Sequence, residues 1–133
     1  MDQWQLYISA ALVALIWLVQ LLIYPAFRFV DEQNWKAYHE HHTSRISWVV
    51  VPLMLAELGI SILAFCNLSN WSNGIILSLI LMIWAITFIG AVPVHNQLRN
   101  QKDLKLITTL IRINWSRTIL WSAKFLILIP VNF

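Results

Sequence analysis

Four stretches, residues 4–24, 46–66, 75–94 and 113–129, are apolar over lengths close to the ~20 residues that a helix needs to cross ~30 Å of hydrocarbon. Inside lipid a spanning segment of that kind must satisfy its own backbone hydrogen bonds, which makes each stretch a predicted helix and the chain a predicted all-α, four-helix transmembrane bundle of two hairpins. The fourth stretch carries Asn114, Arg117 and Lys124 and reads poorly by hydropathy alone; its opening identifies it. Composition agrees with a membrane setting: 59% of residues are hydrophobic, 11% are charged, and eight of 133 are Trp, more apolar surface than a soluble core of this size can hide. The connections are too short for a second domain, so residues 1–133 are expected to form one.

The openings of the second and fourth stretches repeat. Arg45-Ile46-Ser47-Trp48 and Arg112-Ile113-Asn114-Trp115 are each followed, twelve positions after the Arg, by one ionisable residue, Glu57 in the first copy and Lys124 in the second. Helices entering from one side would hold these two at equal depth, roughly 18 Å below the Arg residues at ~1.5 Å per residue. A charge at that depth costs about 2.5–3.5 kcal/mol on insertion scales, which makes an intramembrane ion pair the expected arrangement. A protonated Glu57 and a Lys124 reaching outward to the headgroups are the structural alternatives. The first and third stretches end at Pro25 and Pro93, twenty and nineteen residues before Arg45 and Arg112, so the halves read as a parallel repeat of two helical hairpins.

Seven basic residues lie in the two connectors on one side: Arg28, Lys36 and Arg45, then Arg99, Lys102, Lys105 and Arg112. The opposite side has none. By the positive-inside rule this predicts cytoplasmic connectors and external N- and C-termini in the cytoplasmic (inner) membrane, and the net charge of +3 then concerns topology and anionic lipid, with no case for nucleic acid. The first stretch lacks a basic leader and has Gln20, Tyr24 and Pro25 where a signal-peptide cleavage site would fall, so it reads as a retained helix. Residues 27–44 read as an interfacial cytoplasmic helix capped by Asp31. Cys66 is a packing residue, and Ala10 and Ala14 offer a small-residue contact for a homodimer.

Polar groups crowd toward the basic end. Asn114, Arg117, Trp121 and Lys124 are spaced three, four and three apart, hence on one inward face of the fourth helix. With Gln20, Tyr24, His39, His42, Arg45, Glu57, His95 and Asn96 they form the expected ligand-binding set, a polar pocket open to the cytoplasm. No cofactor is expected; haem or a metal through His39, His42 and His95 is the alternative, since these three can converge from two helix ends. No Gly-x-Ser-x-Gly elbow or Cys-His arrangement points to nucleophilic catalysis.

Several of these elements together, Val19-Gln20-Leu21 with Tyr24-Pro25, His39 and His42 with Arg45, Pro52-Leu53-Met54 with Glu57, Pro93-Val94-His95-Asn96-Gln97-Leu98, and Asn114-Trp115-Ser116-Arg117-Thr118, resemble a group of small uncharacterised four-helix bacterial integral membrane proteins. The resemblance covers nearly the whole chain. More loosely, the Pro-x-His-Asn-x-Leu element and the following Trp-x-Arg are similar to the anthrone-oxygenase-like membrane family, some members of which are linked to cofactor-free oxidation of polycyclic aromatics. That likeness implies His95, Asn114 and Arg117 as groups orienting a phenolate or enolate. Two functions are thus expected: a binding or transport protein for a small or lipid-like ligand, or a membrane enzyme acting on an amphiphilic aromatic or quinone-like substrate. In the enzyme His95 or His42 would abstract a proton, and Arg117, supported by Asn114, would hold the oxyanion.

Overall fold

The computed structural model describes residues 3–132, with side chains through Pro130. It is all-helical, with four long helices: α1 Gln3–Phe29, α2 Glu32–Asn67, α3 Trp71–Leu98 and α4 Leu104–Asn132. No strand occurs among the described residues. α1, α2 and α3 are long and apolar enough to cross a membrane; α4 is long enough but carries its polar face. The placement of the two chain ends concerns Met1 and Phe133, which lie outside the described residues.

The helices start where short polar side chains can satisfy orphan backbone N–H groups. Asp31 Oδ1 accepts from the Asn34 N–H at 2.9 Å to start α2, and Asn70 Oδ1 accepts from the Asn73 N–H at 2.8 Å to start α3. Asp103 Oδ1 accepts from the N–H groups of Lys105 and Leu106 at the head of α4. At the end of α1 the Lys102 ammonium donates to the carbonyls of Arg28 and Val30 at 2.8 and 2.6 Å, closing that terminus with a cation from the α3–α4 connector.

Residues 27–44 are not a separate interfacial helix, as the sequence had suggested. Phe27–Phe29 closes α1, and Glu32 begins a helix of 36 residues that runs through Arg45 into the apolar stretch. The reason is local: from Glu32 to Val51 there is no Gly or Pro to end the helix, and the Asp31 cap starts it. The connection between α1 and α2 is therefore only Val30 and Asp31.

Packing closes a ring in which α1 contacts α2 and α4, and α3 contacts α2 and α4. Three apolar clusters stack along its axis. One, at the basic end, includes Tyr24, Phe27, Trp35, Leu98 and Leu110; the middle one holds Leu12, Ile16, Met54, Ile83 and Trp121; the last holds Ile76, Ile80 and Leu128. The outer faces are also apolar, with Trp48 79% and Ile89 80% exposed, while Glu57, Arg117 and Lys124 are inside. Within the apolar stretches, therefore, the three charged side chains face inward while Ile and Trp face outward, on helices of which three are long and apolar enough to cross a membrane.

α1 and α3 each widen just before a proline, Pro25 and Pro93. In α1 the turn Val19–Ile23 is a π-turn, with the Tyr24 N–H bonded to the Val19 carbonyl five residues back; in α3 the segment Ile86–Ala91 is likewise π-helical, with the Val92 N–H bonded to the Thr87 carbonyl. Pro25 and Pro93 supply no N–H to the carbonyls four residues before them, and the widened turn absorbs that gap. The first and third helices thus carry matching distortions, each just ahead of its proline. They also place Val19 and Tyr24, five apart, on the same buried face.

Candidate functional site

The deepest polar element is the pair anticipated from the two opening motifs. Lys124 Nζ is 2.5 Å from Glu57 Oε1, and both side chains are inaccessible to solvent. The pair joins α2 to α4 across the middle of the ring. Lys124 Nζ also donates to Ser9 Oγ on α1 at 2.7 Å, and Trp121 Nε1 donates to Glu57 Oε2 at 3.0 Å. Beyond it, Gln5 Nε2 donates to Ser61 Oγ at 2.9 Å. Gln5 and Ser9 were missed in the sequence, although their four-residue spacing in an apolar stretch marks one buried helical stripe.

Seven residues before Lys124 on α4, about two turns toward the basic end, sits a cation of a different kind. Arg117 is 6% exposed, and no carboxylate pairs with it among the described residues. Its Nη1 donates to Asn114 Oδ1 at 3.1 Å, and Asn114 Nδ2 donates to Gln20 Oε1 at 2.8 Å, so Asn114 and Gln20 orient the guanidinium without neutralising it. Its Cζ lies 5.1 Å from the Trp121 ring centroid, a cation–π contact. The Arg117 Nε is buried without a hydrogen-bond partner among the described residues, and so is the indole Nε1 of Trp84. Two orphaned donors of this sort call for an acceptor.

Both residues line a cavity of about 190 Å³. Its walls are mainly apolar, including Leu12, Ile16, Val50 and Met54, and its polar lining includes Tyr24, His42, His95 and Arg117. Trp121 forms the floor that separates this space from Glu57 and Lys124, neither of which lines it. The expected single polar pocket running down to the ion pair is therefore divided: the pair is a closed internal contact and the cavity ends at the indole above it. Both halves share Trp121, whose face meets Arg117 and whose N–H meets Glu57.

A second, more polar groove opens between the start of α2 and the end of α3, lined by residues that include Lys36, His39, Asn96 and Arg99. His95 lines both spaces. Its Nε2 is 3.1 Å from the Tyr24 hydroxyl and its Nδ1 is 3.1 Å from His39 Nε2, so three side chains form one hydrogen-bonded chain from the cavity to the groove. The π-turn in α1 and Pro93 in α3 put Tyr24 and His95 in reach of each other. Trp35 stacks on His39 with ring centroids 5.3 Å apart and anchors its own N–H on the Leu98 carbonyl at 2.7 Å. Of the expected ligand-binding set only Arg45 is exposed and lines neither space.

His39 and His42 lie in the first turns of α2, ahead of the apolar stretch. Burial holds His39 below the usual imidazole range, and the nearby Arg99 charge acts in the same direction. Burial, with His39 and His41 beside it, pushes His42 down to about 4. Both rings are neutral at pH 7, each with one N–H and one bare nitrogen, the state in which an imidazole can receive and pass a proton. The His39 and His95 nitrogens that face each other are occupied in that contact, and among the described residues no group of three His, Cys, Asp or Glu is arranged to hold a metal.

Compared with protein-family models, with curated proteins and with solved structures, the chain matches none of them.

Proposed function

We propose that this chain is a multi-pass protein of the cytoplasmic membrane, a four-helix transmembrane bundle with its basic connectors in the cytoplasm, that binds a small or lipid-like amphiphile with an anionic or strongly accepting head. The observation that carries the reading is Arg117: a buried cation with a free Nε, no carboxylate beside it, and an apolar cavity in front of it. A guanidinium in such surroundings is stabilised by an incoming anion far more than it would be in water. The head would sit between Arg117 and Trp84, and the remainder would lie along Leu12, Ile16 and Met54 and leave through the cavity mouth toward lipid. Volume supports this division. About 190 Å³ exceeds the ~150 Å³ that accommodates benzene in an engineered protein cavity, so a head and a few carbons, or one ring, fit inside while a long chain does not.

The test uses oleate against oleyl alcohol, which share a chain and differ in the charge of the head. At about a hundred times its dissociation constant, oleate should stabilise the detergent-solubilised protein by about 2.7 kcal/mol, and Arg117→Gln should lose that gain. Equal stabilisation by the alcohol, or a gain unchanged in Arg117→Gln, refutes the reading.

A second reading, an enzyme acting on an amphiphilic aromatic or quinone-like substrate, draws on the one-ring size of the cavity and on the Tyr24–His95 contact at its wall. The resemblance to small four-helix bacterial membrane proteins, and more loosely to the anthrone-oxygenase-like family, is compatible with either reading.

A further inference from the structure

Binding an anion inside lipid raises a problem of entry. A carboxylate or phenolate pays heavily to leave the headgroup region, whereas the same weak acid in its protonated form is neutral and dissolves in the hydrocarbon. The neutral acid therefore reaches the cavity mouth far more readily, yet Arg117 favours the anion. The proton has to leave from a chamber walled mostly by apolar side chains. Trp121 and the Glu57–Lys124 pair close the inner end, and Glu57 is already committed to Lys124. The polar chain that leads from the cavity to a polar surface is Tyr24, His95 and His39.

We infer that Tyr24, His95 and His39 form a proton exit, through which a weak-acid amphiphile that enters neutral from the lipid gives up its proton to water in the polar groove and stays behind as the anion on Arg117. This deepens the binding reading above and rests on it. The steps balance without any redox partner. The acid O–H breaks as its proton passes to the Tyr24 oxygen. Tyr24 passes its own proton to His95 Nε2, His95 passes its Nδ1 proton to His39 Nε2, and His39 releases its Nδ1 proton to water. Each of the three ends neutral, with both imidazoles in the other tautomer, and the reverse transfer restores them when the ligand leaves as the neutral acid. The net change is one acid converted to its anion and one proton delivered to the groove.

Three features suit this role. The two contacts are 3.1 Å each, within hydrogen-bond range, so a proton can pass without large movement. The rings are held: Phe27 packs edge-on against Trp35, His39 and His42, and Trp35 stacks on His39. The exit opens beside Lys36, Glu40 and Arg99, charged side chains that keep the groove polar where the proton is released.

The experiment uses 4-nitrophenol carrying an octyl chain, a weak-acid amphiphile whose anion alone is yellow, mixed rapidly with the full-length protein in nanodiscs. Wild type should take up the probe and turn it yellow, and Arg117→Gln should not. His95→Phe should turn the bound probe yellow about 100-fold more slowly than wild type, the scale of a lost acid–base relay, with its own probe uptake measured by equilibrium dialysis so that rate and affinity are read apart. Tyr24→Phe removes one oxygen from a ring that otherwise stays in place, and it carries the same test if His95→Phe does not fold. Colour that develops in both variants as fast as in wild type overturns the proton exit and leaves the binding reading standing. Absence of probe uptake by wild type, measured by equilibrium dialysis, overturns the binding reading and the exit with it.

Discussion

Glu57→Gln and Lys124→Met, made singly and together, probe the deepest contact. Lys124 Nζ has two partners, Glu57 Oε1 at 2.5 Å and Ser9 Oγ at 2.7 Å, and no solvent reaches it. Glu57→Gln keeps an acceptor for the Trp121 N–H but leaves a buried ammonium with Ser9 and a neutral amide. Lys124→Met leaves a buried carboxylate with one indole donor. Removing one partner of a buried pair typically costs 3–5 kcal/mol; polar contacts between membrane helices measure weaker because the unfolded chain in lipid also finds partners, so about 3 kcal/mol per single change is the figure to expect. Independent effects would sum to about 6 kcal/mol in the double variant. Direct pairing predicts that the double variant, with no charge left to strand, loses about 3 kcal/mol or less, a coupling of about 3 kcal/mol. Equilibrium unfolding in mixed micelles, followed by Trp fluorescence, reads all four states. A double variant whose loss matches the sum of the singles to within about 0.5 kcal/mol refutes direct pairing.

Other outcomes follow from the same geometry. Val50→Phe places a ring in the cavity, so it should abolish oleate stabilisation while costing the protein without oleate no more than the about 1–3 kcal/mol of an overpacked core in the same unfolding assay. Asp31→Ala removes the cap on the Asn34 N–H and should cost about 1 kcal/mol, with faster amide exchange confined to the first turn of α2. Because His42 is held near 4 in the folded protein against an ordinary 6.5, the unfolded chain takes up its proton first as the medium acidifies. The stability from keeping this ring neutral is therefore full above pH 6.5 and falls steadily toward pH 4; His42→Gln should flatten that part of the pH–stability curve.

The sequence carried most of the deep architecture for a simple reason. A charge twelve residues past an interfacial Arg has a depth set by helix rise, and a residue set three, four and three apart has a face set by helix pitch, so Glu57 with Lys124 and Asn114 with Arg117 and Trp121 followed from spacing. The limits of that logic appear where the helix departs from its regular pitch. The π-turns before Pro25 and Pro93 shift every following side chain by one position, and this shift brings Tyr24 to His95. The His39–His95 contact joins positions 56 residues apart and depends on how two helix ends meet. Trp84 reads as an ordinary apolar residue until its N–H is seen to be buried with no acceptor among the described residues. The merger of residues 32–45 into α2 was less visible because amphipathic composition suggested a surface helix, whereas backbone continuity depended on the missing breaker. The spacing puts Trp121 on one face with Asn114 and Arg117, whereas its double role as floor of the cavity and donor to Glu57 depends on how α2 and α4 meet.

The most direct test of the account is a structure determined with a fatty acid brominated next to its carboxyl group, which locates the head by anomalous scattering. The account predicts a bromine peak inside the cavity between Arg117 and Trp84, with the carboxylate accepting from the Arg117 Nε. Bromine found only on the outer faces of the helices, with the cavity empty in the same crystals, would contradict it.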